Sequence, residues 1–381
     1  MKRIKKIIAI ALILVFLFPI SLKAYALSNE EITAPAAVLM DEKTGRVLYE
    51  KNPREVRACA SITKVMTLIL IMEAIESGKI SMKDSVSASA HAASMGGSDI
   101  WLEPGETMTV DEMIKAIVVA SANDAAVAMA EYISGSEEEF VCQMNKKAQE
   151  LQMNDTVFKN CNGLDEDGHV TSAYDVAVMS RELMKYDKIF DYTSIWIDYL
   201  RDGKTQLVNT NKLLKSYKGI TGLKTGTTSQ AGSCISATAK RDNLSLIAVV
   251  LGSATGKDRF KDAAKLLDYG FANFTMYKPT LPEEVFTKIP VINGMEEFVD
   301  TKSSTFGSFL IPKGREKDIA NTIQLVDEVE APVEEGQNLG KIAYSLDDQV
   351  IAEYNIEAVF PVPSMNLASI FDILLKSLVS M

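Results

Sequence analysis

Histidine is nearly missing from this sequence: His91 and His169 are the two in its 381 residues. A histidine-rich metal centre is therefore not expected, and a Ser-His-Asp esterase would have to use one of those two. No G-x-S-x-G segment occurs, which removes the nucleophile-elbow version of that chemistry. Cysteine is sparse as well. Cys59, Cys142, Cys161 and Cys234 are even in number, but their spacing fits neither a disulfide framework nor a zinc site. Cys59 reads as a small buried residue and not as a nucleophile. Low-complexity segments are absent, and 47% hydrophobic with 7% aromatic residues are ordinary globular values.

Positive charge is in deficit, with 40 basic against 51 acidic residues, although the chain starts with a basic cluster. Met1-Lys2-Arg3-Ile4-Lys5-Lys6 is followed by an apolar run from Ile7 to Ile20 and by Ala24-Tyr25-Ala26. A basic segment, a short apolar run and an A-x-A site describe a secretory signal peptide over residues 1–26. As a permanent membrane helix the run is short, and Pro19 interrupts its end. The chain is expected to be exported and cleaved after Ala26. Cleavage takes Lys2, Arg3, Lys5, Lys6 and Lys23 and no acidic residue. Of 40 basic residues 35 then remain against 51 acidic, a net charge of −16. That charge excludes nucleic acid as a partner and a purely electrostatic grip on anionic lipid.

What the chain does have begins at Ser61-Ile62-Thr63-Lys64. Val65, Leu68, Ile69, Met72 and Ile75 recur at helical spacing after it, so a buried helix starts close to Ser61. Positions i and i+3 share a helix face, which points Ser61 and Lys64 the same way. The positive end of the helix dipole disfavours a protonated Lys64, and a partly neutral lysine can take the proton of a serine hydroxyl. The competing structural account makes Ser61 an N-cap and Lys64 a solvated first-turn residue.

Further along, residues 36–50 read as a hairpin around Asp41-Glu42-Lys43-Thr44-Gly45. Thr109-Val110-Asp111-Glu112 is a capping box opening an apolar helix through Met113, Ile114, Ile117 and Val118. It meets a polar Ser121-Ala122-Asn123, after which a second helix continues from Ala125 to Ile133. Helices also fit 137–151, 172–185 and 258–274, with a polar loop at Asn162-Gly163-Leu164-Asp165-Glu166. Lys224-Thr225-Gly226 lies on a strand that should pair antiparallel with Cys234–Ala239, and 244–251 is a buried strand. A lysine on an edge strand is commonly a solubilising residue, and Gly226 would let a ligand backbone approach closely. Short alternating segments over 283–360 suggest a small β domain. After Pro361 and Pro363, residues 366–381 form one helix with Leu367, Ile370, Phe371, Leu374 and Leu378 apolar and Ser369, Asp372, Lys376 and Ser380 in a polar stripe. It is too short and polar to span a bilayer, which suits the interface plane, or docking on its own protein.

S-x-x-K at Ser61, S-x-N at Ser121 and K-T-G at Lys224 occur in the order and contexts of penicillin-binding proteins and class A β-lactamases. The second K-T-G at Lys43 and second S-x-N at Ser364 are out of order. With Gly96-Gly97-Ser98, Asn162-Gly163-Leu164-Asp165, Arg259, the β domain and the tail, the chain resembles a low-molecular-mass penicillin-binding protein, a serine D-alanyl-D-alanine carboxypeptidase of the S11 peptidase type. The resemblance implies an α/β (α+β) transpeptidase-like catalytic domain over 27–276, with an antiparallel sheet between helical layers. It also implies an all-β domain over 277–363 and an amphipathic membrane-anchor helix over 364–381.

The resemblance further implies roles. Ser61 attacks the D-Ala-D-Ala carbonyl of a peptidoglycan pentapeptide, Lys64 is the base, Ser121 relays a proton and Asn123 positions the substrate amide. Lys224, Thr225 and Arg259 hold the terminal carboxylate beside Gly226. Backbone N–H groups of Ser61 and Thr227 form the oxyanion hole. No cofactor is implied, β-lactams are expected ligands, and the location is the outer face of the cytoplasmic membrane. The rivals are a β-lactamase, for which Glu166 would be the second base, an endopeptidase using the same motifs, and a non-catalytic wall-binding module.

Overall fold

The computed structural model describes residues 27–303, 307–367 and 370–371. The expected leader over 1–26, and Ser369, Asp372, Leu374, Lys376, Leu378 and Ser380 of the expected tail stripes, lie outside the described residues.

Five antiparallel strands form the central sheet: β1 (Ala36–Asp41), β2 (Val47–Lys51), β3 (Ile220–Thr228), β4 (Gly232–Arg241) and β5 (Leu244–Ser253), in the order β2-β1-β5-β4-β3. Side chains alternate between two buried faces, as period-2 strands require. Val38, Met40, Ile247, Val249 and Leu251 join one core cluster with the helices that follow Ser61. Leu39, Ile235, Ala237, Leu246 and Val250 join another with Ala263, Leu266, Leu267 and Phe271. The sheet is thus sandwiched between helical layers. In the hairpin turn, Asp41 Oδ2 accepts Thr44 N–H at 2.9 Å and Thr44 Oγ1–H at 2.5 Å. The out-of-order K-T-G at Lys43 is therefore turn chemistry.

The first layer is built around α1 (Lys64–Glu76), buried on all sides from Lys64 to Met72. A helix apolar all round belongs in the middle of a core. Around it lie α2 (Ala90–Ala93), α3 (Val110–Lys115), α4 (Asn123–Ser134), α5 (Glu137–Glu150) and α6 (Ala173–Leu183). The capping box at Thr109 and Glu112 is present. The apolar helix after it does not run on unbroken: α3 passes into a π-helical turn, Ala116–Ala120, and Ser121 follows in left-handed conformation at φ 63°. A π turn takes an extra residue per turn, which periodicity alone does not signal. The second layer is α7 (Gly256–Asn273).

Beyond α7, Phe274–Tyr277 pairs with Phe309–Pro312, so the expected boundary at 276/277 falls inside a strand. A six-stranded sheet follows in the order Ala320–Leu325, Asn338–Leu346, Gln349–Ala358, Phe298–Lys302, Lys288–Ile292, Val329–Glu330. The expected segments 342–346 and 350–356 lie in its best-paired strands. Pro361 and Pro363 do not make a free spacer. Val362 exchanges backbone hydrogen bonds with Val333, and Met365 N–H donates to Asn293 C=O at 2.7 Å.

Candidate active site

Ser61 sits in a 3₁₀ turn, Ala60–Thr63, and Lys64 is the first residue of α1. Lys64 Nζ lies 2.9 Å from Ser61 Oγ, 2.5 Å from Asn123 Oδ1 and 2.6 Å from the Asn162 carbonyl. The Asn123 amide is oriented by its Nδ2, which donates to Gly96 C=O at 2.6 Å, so Oδ1 faces Lys64. Two of the three lysine partners can only accept. A neutral amine has two N–H donors and one lone pair. In that form both donors are used on Asn123 and Asn162 and the lone pair is left for the Ser61 hydroxyl, whereas the protonated amine donates to Ser61 Oγ. Burial lowers the Lys64 pKa to about 7, against a weaker opposing pull from Cys161, Asp99 and Asp124. Burial is one of the two expected causes, helix polarity being the other.

Two glycines let the turn sit where it does. A Cβ on Gly163, whose φ is +85°, would stand 2.0 Å from the Ala60 carbonyl oxygen. One on Gly226 would stand 2.8 Å from Cys59 O and 2.9 Å from Ser61 N. Gly226 thus makes room for the nucleophile turn itself against β3, in addition to whatever approaches from outside.

Lys224 lies on the edge strand β3, yet it is buried. Its Nζ donates to Ser121 Oγ at 2.8 Å and to Thr225 C=O at 3.1 Å, so it is no solubilising residue. Burial, then the positive charges of Lys64 and Arg259, push its pKa well below the usual lysine value. The left-handed Ser121 is what brings this hydroxyl to Lys224. Thr225 Oγ1 donates to Thr210 Oγ1 at 2.6 Å. Arg259 donates to Gly226 C=O at 2.8 Å and Thr227 Oγ1 at 2.7 Å, and its buried Nε has no partner among the described residues. Ser61, Lys64, Ser121, Asn123, Lys224, Thr225, Gly226, Thr227 and Arg259 therefore form one connected site.

Sequence reasoning missed Thr210, which stands in no motif, and the part played by the Asn162 carbonyl, although Asn162 opens the Asn162-Gly163-Leu164-Asp165 stretch. It also left His169 without a partner. His169 Nδ1 accepts Lys159 N–H at 3.2 Å, which makes Nε2 the donor to Thr63 Oγ1 at 2.7 Å. Burial lowers its pKa to about 4. His91 pairs with Glu137 at 2.9 Å. Both imidazoles are engaged away from Ser61, which removes the esterase reading. Glu166 is exposed and accepts Asn160 Nδ2 at 3.1 Å, a poor setting for a second base. Cys59 is fully buried and its thiol is pushed up to about 12, which makes it inert.

The family described as D-alanyl-D-alanine carboxypeptidase matches residues 23–255, and the penicillin-binding protein 5 C-terminal domain matches residues 274–364. D-alanyl-D-alanine carboxypeptidase DacF of Bacillus subtilis (strain 168) is 46% identical over 364 residues, covering 93% of this chain and 94% of that protein. DacC of Escherichia coli (strain K12), of the same activity, is 33% identical over 351 residues, covering 89% and 87%. Among solved structures, penicillin-binding protein 5 from Haemophilus influenzae superposes with a TM-score of 0.78 at 32% identity, covering 89% of this chain and all of that one. Penicillin-binding protein D2 from Listeria monocytogenes, in its ampicillin-bound form, gives 0.59 at 32% identity, covering 64% of this chain and all of that one.

Proposed function

The chain belongs to the D-alanyl-D-alanine carboxypeptidase family, and from that premise we propose that it removes the terminal D-alanine of peptidoglycan stem peptides through a serine acyl-enzyme on Ser61. The observation that carries this reading is Lys64 Nζ set 2.9 Å from Ser61 Oγ, with two acceptors that use up the N–H groups of its neutral form and leave the lone pair for the hydroxyl. Lys64 takes the hydroxyl proton as Ser61 attacks the penultimate D-Ala carbonyl. The tetrahedral oxyanion is held by the N–H groups of Ser61 and Thr227, a role supported by the close approach of the turn to Gly226. Ser121, bonded to Lys224, relays the proton taken up by Lys64 to the departing amine as the C–N bond breaks, and water then hydrolyses the acyl-enzyme and restores the Ser61 hydroxyl. Lys224, Thr225 and Arg259 gather positive and hydroxyl donors for the terminal carboxylate. β-Lactams would enter as substrate mimics that stop at the acyl-enzyme.

We propose further that the chain is exported by its leader and held at the outer face of the cytoplasmic membrane by the tail, with residues 277–363 as the stand-off. The start of the tail supports this, since Leu367 is 88% and Phe371 65% exposed. The test is release of free D-alanine from a soluble peptide ending in D-Ala-D-Ala. Wild type should release it and Ser61→Ala should not. Equal release by both would end the reading.

A further inference from the structure

Glu137, the first residue of α5, keeps only 13% of its side chain exposed. Its own helix does not use it as a cap, because Ser136 accepts Glu139 N–H at 3.2 Å in that role. Its two carboxylate oxygens serve different segments. Oε1 accepts Cys161 N–H at 3.0 Å, and Oε2 meets His91 Nε2 at 2.9 Å.

Both arms lead inward. Next to Cys161 is Asn162, whose carbonyl accepts Lys64 Nζ at 2.6 Å. The Cys161 carbonyl itself accepts Thr67 Oγ1–H at 2.5 Å, one turn along α1 from Lys64. On the other side His91 lies in α2, which leads into Met95-Gly96. Gly96 C=O takes Asn123 Nδ2 at 2.6 Å and Ser98 C=O takes Asn123 N–H at 2.7 Å. Asn123 Oδ1 is then the second acceptor of Lys64 Nζ, at 2.5 Å. Met95 Sδ, accepting Asn162 Nδ2 at 3.6 Å, joins the arms near the cleft.

The geometry points to Glu137 as a positioning residue: from outside the cleft, one carboxylate fixes the two acceptors that orient Lys64 toward Ser61. An ion pair with one partner half in solvent, such as His91–Glu137, is by itself worth little. What matters here is alignment, since a displacement of about 1 Å at a reacting pair can cost about 100-fold in rate. The inference rests on Lys64 being the base.

The experiment uses the full mature protein with Glu137→Ala, Glu137→Gln and His91→Ala. Acylation by benzylpenicillin is followed at saturation, with the dissociation constant of the noncovalent complex measured alongside, and kcat and KM for D-alanine release. Glu137→Ala should lower the acylation rate constant and kcat about 10- to 100-fold, with KM and the dissociation constant within about twofold. Glu137→Gln, whose Oε1 still accepts Cys161 N–H, should recover most of the rate. His91→Ala, which cuts one arm, should fall between them. A folded Glu137→Ala that acylates at the wild-type rate would overturn the inference, as would a Gln variant no faster than Ala. If Glu137→Ala does not fold, the other two decide: His91→Ala at the wild-type rate, or a slow folded Gln variant, overturns it. Failure of wild type itself to become labelled on Ser61 would instead remove the base, and this inference with it.

Discussion

At the scale of the residue, the proposed mechanism turns on one buried lysine. With its pKa lowered to about 7, Lys64 as the proposed base would be protonated below that value and able to take a proton above it. Acylation rate should therefore rise with pH through about 7 and level off, which stopped-flow labelling with a β-lactam would follow. A rate flat across that range would place the base elsewhere. Lys64→Arg keeps a cation that cannot give up its proton, so acylation should drop about 100- to 10,000-fold. His169 makes a prediction of another kind. Its folded pKa of about 4 lies below the ordinary 6.5, so between these values the unfolded chain binds the extra proton. Stability should fall as pH drops from 6.5 toward 4, and His169→Gln should flatten that dependence in thermal melts. Ser61, Lys64, Ser121 and Lys224 were legible in the sequence because side-chain type and spacing announce them. The Asn162 carbonyl was not, because a backbone oxygen has no residue type. Burial of the lysine was expected, but not which segments enclose it, since they lie 59 and 98 residues away.

At the scale of the element, strands, hairpin and helix layers followed from periodicity and turn chemistry, and Lys224 does pair with Ser236 across β3 and β4. What periodicity could not give was how elements touch. The π turn before Ser121 looks apolar and helical in sequence, and Gly163 looks like one more loop glycine. Its substitution is the sharpest test of packing at the site. Gly163→Ala must move the Ala60 carbonyl or the loop and adopt an unfavourable φ, costing about 1–3 kcal/mol by denaturant titration. It should slow acylation as well, because the displaced turn bears Ser61. A variant with unchanged stability and rate would mean that the turn and loop are not held this closely.

At the scale of the whole molecule, an acidic body has to meet a substrate attached to the cell envelope. The charge pattern alone made electrostatic adhesion improbable, and apolar residues at the root of the tail offer the alternative. Truncation after Met365 keeps its hydrogen bond to Asn293 and should free the mature protein from membranes while leaving D-alanine release from a soluble peptide intact. Retention on the membrane would put the anchor elsewhere. Loss of hydrolysis would mean that the tail docks on the fold.

The central claim, a lysine-activated Ser61, is tested most directly by locating the bond that a β-lactam forms. Mature protein labelled with fluorescent penicillin, digested and mapped by mass spectrometry, should carry one adduct, on Ser61, and Ser61→Ala should carry none. An adduct on Ser121 or Cys59, or labelling that persists in Ser61→Ala, would contradict it.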